Sequence, residues 1–174
     1  MTARTGLPLR VLLGFVVVGS LVPEVGRYAA ERRLGQASSA LREVLAGAVV
    51  SPSDPRLQQA AMLARDAAES LPGDSRPWIT AGSARLLERQ PEQAIEAYLA
   101  ALRQGERAEI DLNLGRAYMM LRRRPEAERA LLRTAWVHPP LLVALPENVA
   151  DILRAEVARL EGQLRRGELK APPS

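Results

Sequence analysis

Two stretches of this chain repeat each other at a spacing of 33 residues. Gly82 falls on Gly115, Ala94 on Ala127, and Tyr98 on Leu131. Around them, Trp78, Ala81 and Gly82 in one stretch answer to Leu114, Gly115 and Tyr118 in the other. A fixed period in this range marks a stack of small helical units, each burying its apolar face against the next. It constrains the fold more than any single motif does, because it sets both the size of the unit and the way units meet.

The composition agrees with helices. Hydrophobic residues make up 47% of the 174, yet aromatics only 3%, which suits Ala/Leu helices better than a sandwich or barrel. Between Pro52 and Gly167 the chain is rich in Ala, Leu, Arg, Glu and Gln, all strong helix formers. The fold class expected is all-α. With no cysteine, disulfides, thiol catalysis and Cys-ligated metals are excluded. The formal net charge is +4, and Lys170 is the only lysine among 24 basic residues. Most arginines alternate with glutamates, the pattern of a solvated helix face. The one dense basic run is Arg122-Arg123-Arg124, between two expected helices.

Breaks divide the chain into helices. Apolar positions Leu34, Leu41, Leu45 and Ala48 predict a helix over 24–50. Ser51-Pro52-Ser53-Asp54-Pro55 ends it. Helices follow over 57–71, 76–89 (Ser75 as N-cap, Pro77 in the first turn), 91–103, 108–122 and 125–137. His138-Pro139-Pro140 stops the last of these. A final helix after Asn148 places Val149, Ile152, Leu153, Val157, Leu160 and Leu164 on one face. Its other face is charged, as a terminal cap on a stack requires. Residues 167–174 read as a frayed tail.

Residues 75–107 and 108–141 resemble the tetratricopeptide repeat (TPR) family, whose pattern is W-x2-L-G-x2-Y, then A-x3-F, then P. The first copy matches at Trp78, Gly82, Ala94 and, with Tyr for Phe, Tyr98. It departs at Ala81, Arg85 and Glu106. The second matches at Leu114, Gly115, Tyr118, Ala127 and Pro139, and departs at Asp111 and Leu131. Ala60, Ala64, Ala67 and Pro72 look like part of an earlier, degenerate copy. The resemblance implies a short α-solenoid of antiparallel helix hairpins over 24–166, flanked by an N-terminal hydrophobic helix and a C-terminal capping helix. It also implies a concave groove lined by the first helix of each hairpin. Carried over, Arg76, Ile79, Ser83 and Leu86 would face it in one repeat, and Glu109, Leu112, Arg116 and Met119 in the next. The family's clamp for C-terminal carboxylates is not reproduced: Asn113 could contribute, but Ile79 and Ser83 do not supply the rest.

The run from Val11 to Val22 (VLLGFVVVGSLV) is the most apolar in the chain, with Arg4 and Arg10 before it. At twelve uncharged residues it is shorter than the ~20 of a full span, although Arg10 could snorkel and lengthen it. An uncleaved signal anchor over 1–23, a cleaved signal peptide and a buried helix all remain open, with the anchor preferred. A short N-tail before a first apolar segment then places the bulk of the chain outside the cytoplasm, anchored singly in the inner membrane.

Catalytic chemistry finds little support. His138 is the one histidine and lacks the companions a metal needs. Glu92 and Glu96 lie one turn apart but on an exposed face. No phosphate-binding glycine loop, G-x-S-x-G or H-E-x-x-H occurs. No enzyme activity, cofactor or metal is expected. The leading expectation is a membrane-anchored adaptor that binds another protein in its groove, as part of a bacterial envelope assembly by family analogy. The alternative is a soluble cytoplasmic regulator that touches nucleic acid through Arg122–Arg124; nucleic acid is the less favoured partner.

Overall fold

The computed structural model describes the backbone of residues 6–47 and 49–169, with side chains from Glu24 onward. Among these residues there is no strand. The elements are α1 (Gly6–Ala46), α2 (Pro55–Ser70), α3 (Arg76–Leu87), α4 (Pro91–Gln104), α5 (Ala108–Met120), α6 (Arg124–Val137), a 3-10 helix (Pro139–Ala144) and α7 (Glu147–Arg165). The protein is an all-α stack in which α1 packs on α2, α3 on α4, and α5 on α6, each pair resting on the next.

The core is a row of three larger clusters, with a fourth, smaller one of Ala30 and Leu34 of α1 with Ala67 and Leu71 at α2. The first joins Leu41 and Val44 of α1 to Leu57, Ala60 and Ala64 of α2 and Ala81 and Ala84 of α3. The second surrounds Tyr98 with Ile95, Ile110, Leu114 and Ala117. The third gathers Leu112, Leu131, Leu142, Leu145 and Leu153. Each unit therefore borrows its core from its neighbours, as repeat architectures do. The many buried alanines let helix axes come close while keeping the best helix propensity.

The 33-residue period has a physical meaning in this packing. A Cβ on Gly82 would lie 2.8 Å from the Tyr98 ring, and one on Gly115 would lie 2.5 Å from Leu131 Cδ2. Each glycine thus marks the place where two helices of a hairpin touch. The turns repeat as well. Arg89 and Arg122 both take left-handed backbone, with φ 58° and 59°. At each, the next N–H reaches back to close the helix: Gln90 N to Arg85 O and Arg123 N to Tyr118 O, both 2.9 Å. This is the Schellman ending, usually built with glycine.

Local signals explain several other boundaries. Asp54 caps α2 by accepting from the Arg56 N–H at 3.0 Å. At α3 the N-cap position is Ser75, as expected, but its side chain makes no cap bond. Asp74 takes that role, accepting from the Arg76 N–H at 2.8 Å. Pro91 opens α4 and Pro125 lies in the first turn of α6, where a missing N–H costs nothing.

Two helices differ from their sequence reading. α1 does not begin after Pro23 but runs through it, forfeiting one intrahelical bond there. Its buried face is Ala30, Leu34, Ala37, Leu41 and Val44, while Leu45 is 57% exposed. The stripe is set by contact with α2 and is rotated from the one drawn through Leu45; Ala48 lies outside the described residues. On α7, Leu153 and Leu160 are buried, but Ile152 is 67% exposed because no helix covers that side. Residues 170–174 of the expected tail also lie outside the described residues.

Candidate functional site

Helices α1, α3 and α5 touch across successive hairpins, whereas α2, α4 and α6 do not touch one another. The odd-numbered helices therefore form the inner row of the stack. A groove of about 430 Å³ opens on this row. Leu34 and Ile79 contribute its apolar surface, and Glu31, Ser38, Arg42, Thr80, Arg107 and Glu109 its polar surface.

The charges around this groove are mostly committed. The Arg76 guanidinium bonds Asp74 Oδ2 at 2.6 Å and Glu31 Oε1 at 2.7 Å, joining the start of α3 to α1. Burial alone would raise the Asp74 carboxyl, but hydrogen bonds from the Arg76 side chain and amide, with the nearby Arg76 and Arg107 charges, hold it below the usual range. Arg76 is held more firmly protonated by the same bonds. Arg107 lies 3.5 Å from Glu109. Arg42, exposed on the groove wall, has no acid within ion-pair distance among the described residues.

The residues expected to face one groove divide three ways. Arg76, Ile79 and Glu109 lie on it. Ser83 turns into its own hairpin and hydrogen-bonds the Tyr98 hydroxyl at 3.1 Å. Burial pushes that phenol up to about 12, against the lowering effects of the Ser83 bond and the Arg116 charge. Leu86 packs against the second core cluster and Leu112 is buried in the third. Arg116 donates to the Ala144 carbonyl at 2.8 Å and to Asn113 Oδ1 at 3.2 Å, pinning the 3-10 helix onto α5. Met119 is 42% exposed and lines a different cleft, between the α5–α6 turn and α7. The sequence reading missed Glu31, Leu34, Ser38 and Arg42. Their signal was present in the phase of α1, but only the contact with α2 fixes that phase.

Other candidates for chemistry are dispersed. His138 is exposed at the end of α6. Glu92 and Glu96 are both exposed. No group of three or more His, Cys, Asp or Glu among the described residues is placed to hold a metal. Of the basic run, Arg123 is already engaged: it bonds Glu126 at 2.6 Å and its guanidinium lies 4.9 Å from the Tyr118 ring centroid. The buried carboxyl of Asp111 is the one unusual acid. It is 3% exposed, and its Oδ2 has no hydrogen-bond partner and sits 3.9 Å from Arg133 Nε. Burial raises it to about 6, with Arg133 opposing and Glu106 reinforcing the rise.

Among the described residues no helix is long and apolar enough to cross a membrane. The run from Val11 to Val22 falls on α1, but its side chains lie outside the described residues. No family model, curated protein or solved structure matches the chain.

Proposed function

We propose that this protein is an interaction adaptor of TPR-like build, held at a membrane by the run from Val11 to Val22. Another protein would lie along the groove formed by α1, α3 and α5. The supporting observation is the inner row itself: Ile79 offers apolar contact, and Arg42 has no ion-pair partner among the described residues. A groove lined mostly by polar and charged groups, with Ile79 as an apolar contact, suits recognition of a polar peptide segment. The 33-residue period and the TPR resemblance favour the same reading. The expected orientation leaves the groove outside the cytoplasm.

The test is membrane fractionation of full-length protein carrying a photoreactive amino acid at Arg42. After an alkaline carbonate wash, protein in the membrane pellet should yield, on irradiation, an adduct with another polypeptide. Protease added to intact cells or spheroplasts should reach the C-terminus. Release by the wash would remove the anchor. Lack of any protein adduct from position 42 would remove the groove.

A further inference from the structure

The far end of the stack carries a second surface, separate from the groove. Among the described residues α7 touches only α6 and the 3-10 helix, whereas α3 and α5 are each flanked by helices on several sides. Between α6 and α7 lies a cleft. One part, of about 550 Å³, has Leu131 and Leu153 among its lining and Met119 and Val149 beside them. The adjoining part, of about 900 Å³, continues along α7 as far as Arg159. The two share Glu128, Ile152 and Leu153, so they form one cleft along the helix. Ile152 stands in its mouth, 67% exposed. From Val149 to Arg159 the lined length of α7 is about 15 Å, some three helical turns.

Charge selects among occupants. Arg122 and Arg124 line the cleft at the α5–α6 turn with no ion-pair partner among the described residues, and with Arg129 and Arg159 they outnumber its acids, Glu128 and Glu156. They sit beside the N-terminus of α6, whose dipole adds to the positive potential. A second copy of this chain fits poorly. Its own α7 already pairs Asp151 with Arg154, Glu156 with Arg159 and Glu161 with Arg165, so those carboxylates are committed and offer little to Arg122 and Arg124. An acidic helix meets both requirements. Its apolar stripe would cover Ile152 and Leu153, and its carboxylates would meet Arg122 and Arg124.

We propose that the α6–α7 cleft docks an amphipathic helix of another protein, with carboxylates flanking its apolar stripe, giving α7 a second helical partner beside α6. Such a helix would read its site by apolar anchors three or four residues apart, as helices in grooves do.

The experiment places a photoreactive phenylalanine at Ile152 in the full-length chain, in its own host, with the same probe at Leu99 on α4 as control. Exposed positions tolerate the replacement, so the fold is not at stake. The expected result is an adduct specific to position 152, whose partner peptide maps by mass spectrometry to a segment with an apolar i, i+3/i+4, i+7 stripe and flanking Asp or Glu. In an Arg122→Gly/Arg124→Glu background the adduct should fall at least tenfold; glycine suits the left-handed backbone at 122, so this change removes charge without straining the turn. The proposal is overturned if the adduct joins two copies of this chain, joins lipid, maps to a segment without acids, survives charge reversal, or does not form. None of these outcomes bears on Arg42 and the groove.

Discussion

The hairpins α3–α4 and α5–α6 solve one backbone problem with different side chains. Both close on a glycine, and both end their first helix at a left-handed arginine. In the first, a rigid Tyr98 fills the contact and Ser83 holds its hydroxyl. In the second, a Leu131 fills it and no such bond is made. The brace across the turn also changes. Arg85 bonds Glu88 at 2.7 Å and Gln90 at 3.3 Å, whereas at the equivalent pair Arg123 lies over the Tyr118 ring. Trp78 packs against the second core cluster, and its counterpart Asp111 is a buried acid without a hydrogen bond at Oδ2. The difference teaches that the period preserves the close approach of backbones, while the filling and the polar contacts are free to vary.

The sharpest test of that comparison is at the glycines. Gly82→Ala should destabilise by about 2 kcal/mol, because the fully buried ring cannot retreat; overpacking outweighs the ~1 kcal/mol gain in helix propensity. Gly115→Ala should cost nearer 1 kcal/mol, since a leucine can change rotamer more readily than a ring. Chemical denaturation checks both. Combining Gly82→Ala with Tyr98→Leu should give less destabilisation than the sum of the single changes. Strict additivity would mean that the glycine is not there for the ring.

Asp111 gives a smaller and pH-dependent contrast. Its folded value of about 6 stands above the ordinary 3.8. The folded state therefore binds this proton more tightly than the unfolded chain, and stability should fall as pH rises from about 4 through 6. Asp111→Asn should stabilise the protein by about 1 kcal/mol at pH 7.5 and flatten that part of the profile. Thermal melts across this range would show it. An unchanged profile would mean that Arg133 compensates the charge fully.

The smallest effects should come from the turns. Arg89→Gly and Arg122→Gly each relieve a left-handed conformation that costs a side-chain-bearing residue ~1 kcal/mol, less the extra entropy glycine loses on folding. A gain of about 0.5 kcal/mol at each is expected by denaturant titration. Equal gains would support equivalence of the two turns. A gain at 89 alone would single out 122 as a residue held by other contacts.

How far the sequence could be read follows the same division. The matched spacing of Gly82 and Gly115, and of Tyr98 and Leu131, was visible because a close approach permits few residue types; that each of the larger side chains faces the glycine of its own hairpin was not. The hairpins followed from it, together with Pro91 and Pro125. The phase of α1 was not visible. Leu34, Leu41 and Leu45 fit a helical face as well as Ala30, Ala37 and Val44 do, and only packing on α2 decides between them. The same limit hid Glu31, Ser38 and Arg42 from the groove. Side-chain direction at Ser83 and Arg116 was equally out of reach, because each is set by a partner far along the chain, Tyr98 and the Ala144 carbonyl.

The unbroken course of α1 has a geometric consequence. From Val22 to Arg42 the chain is one helix, so the groove, lined on α1 from Glu31 to Arg42, stands about 14 to 30 Å along the same axis from the apolar run. A flexible linker would set only a maximum reach; a helix works as a ruler and a protractor together. Each residue added to it lengthens the reach by about 1.5 Å and swings the groove by about 100°. Height and heading are thus written in a single residue count, and neither can be altered without the other.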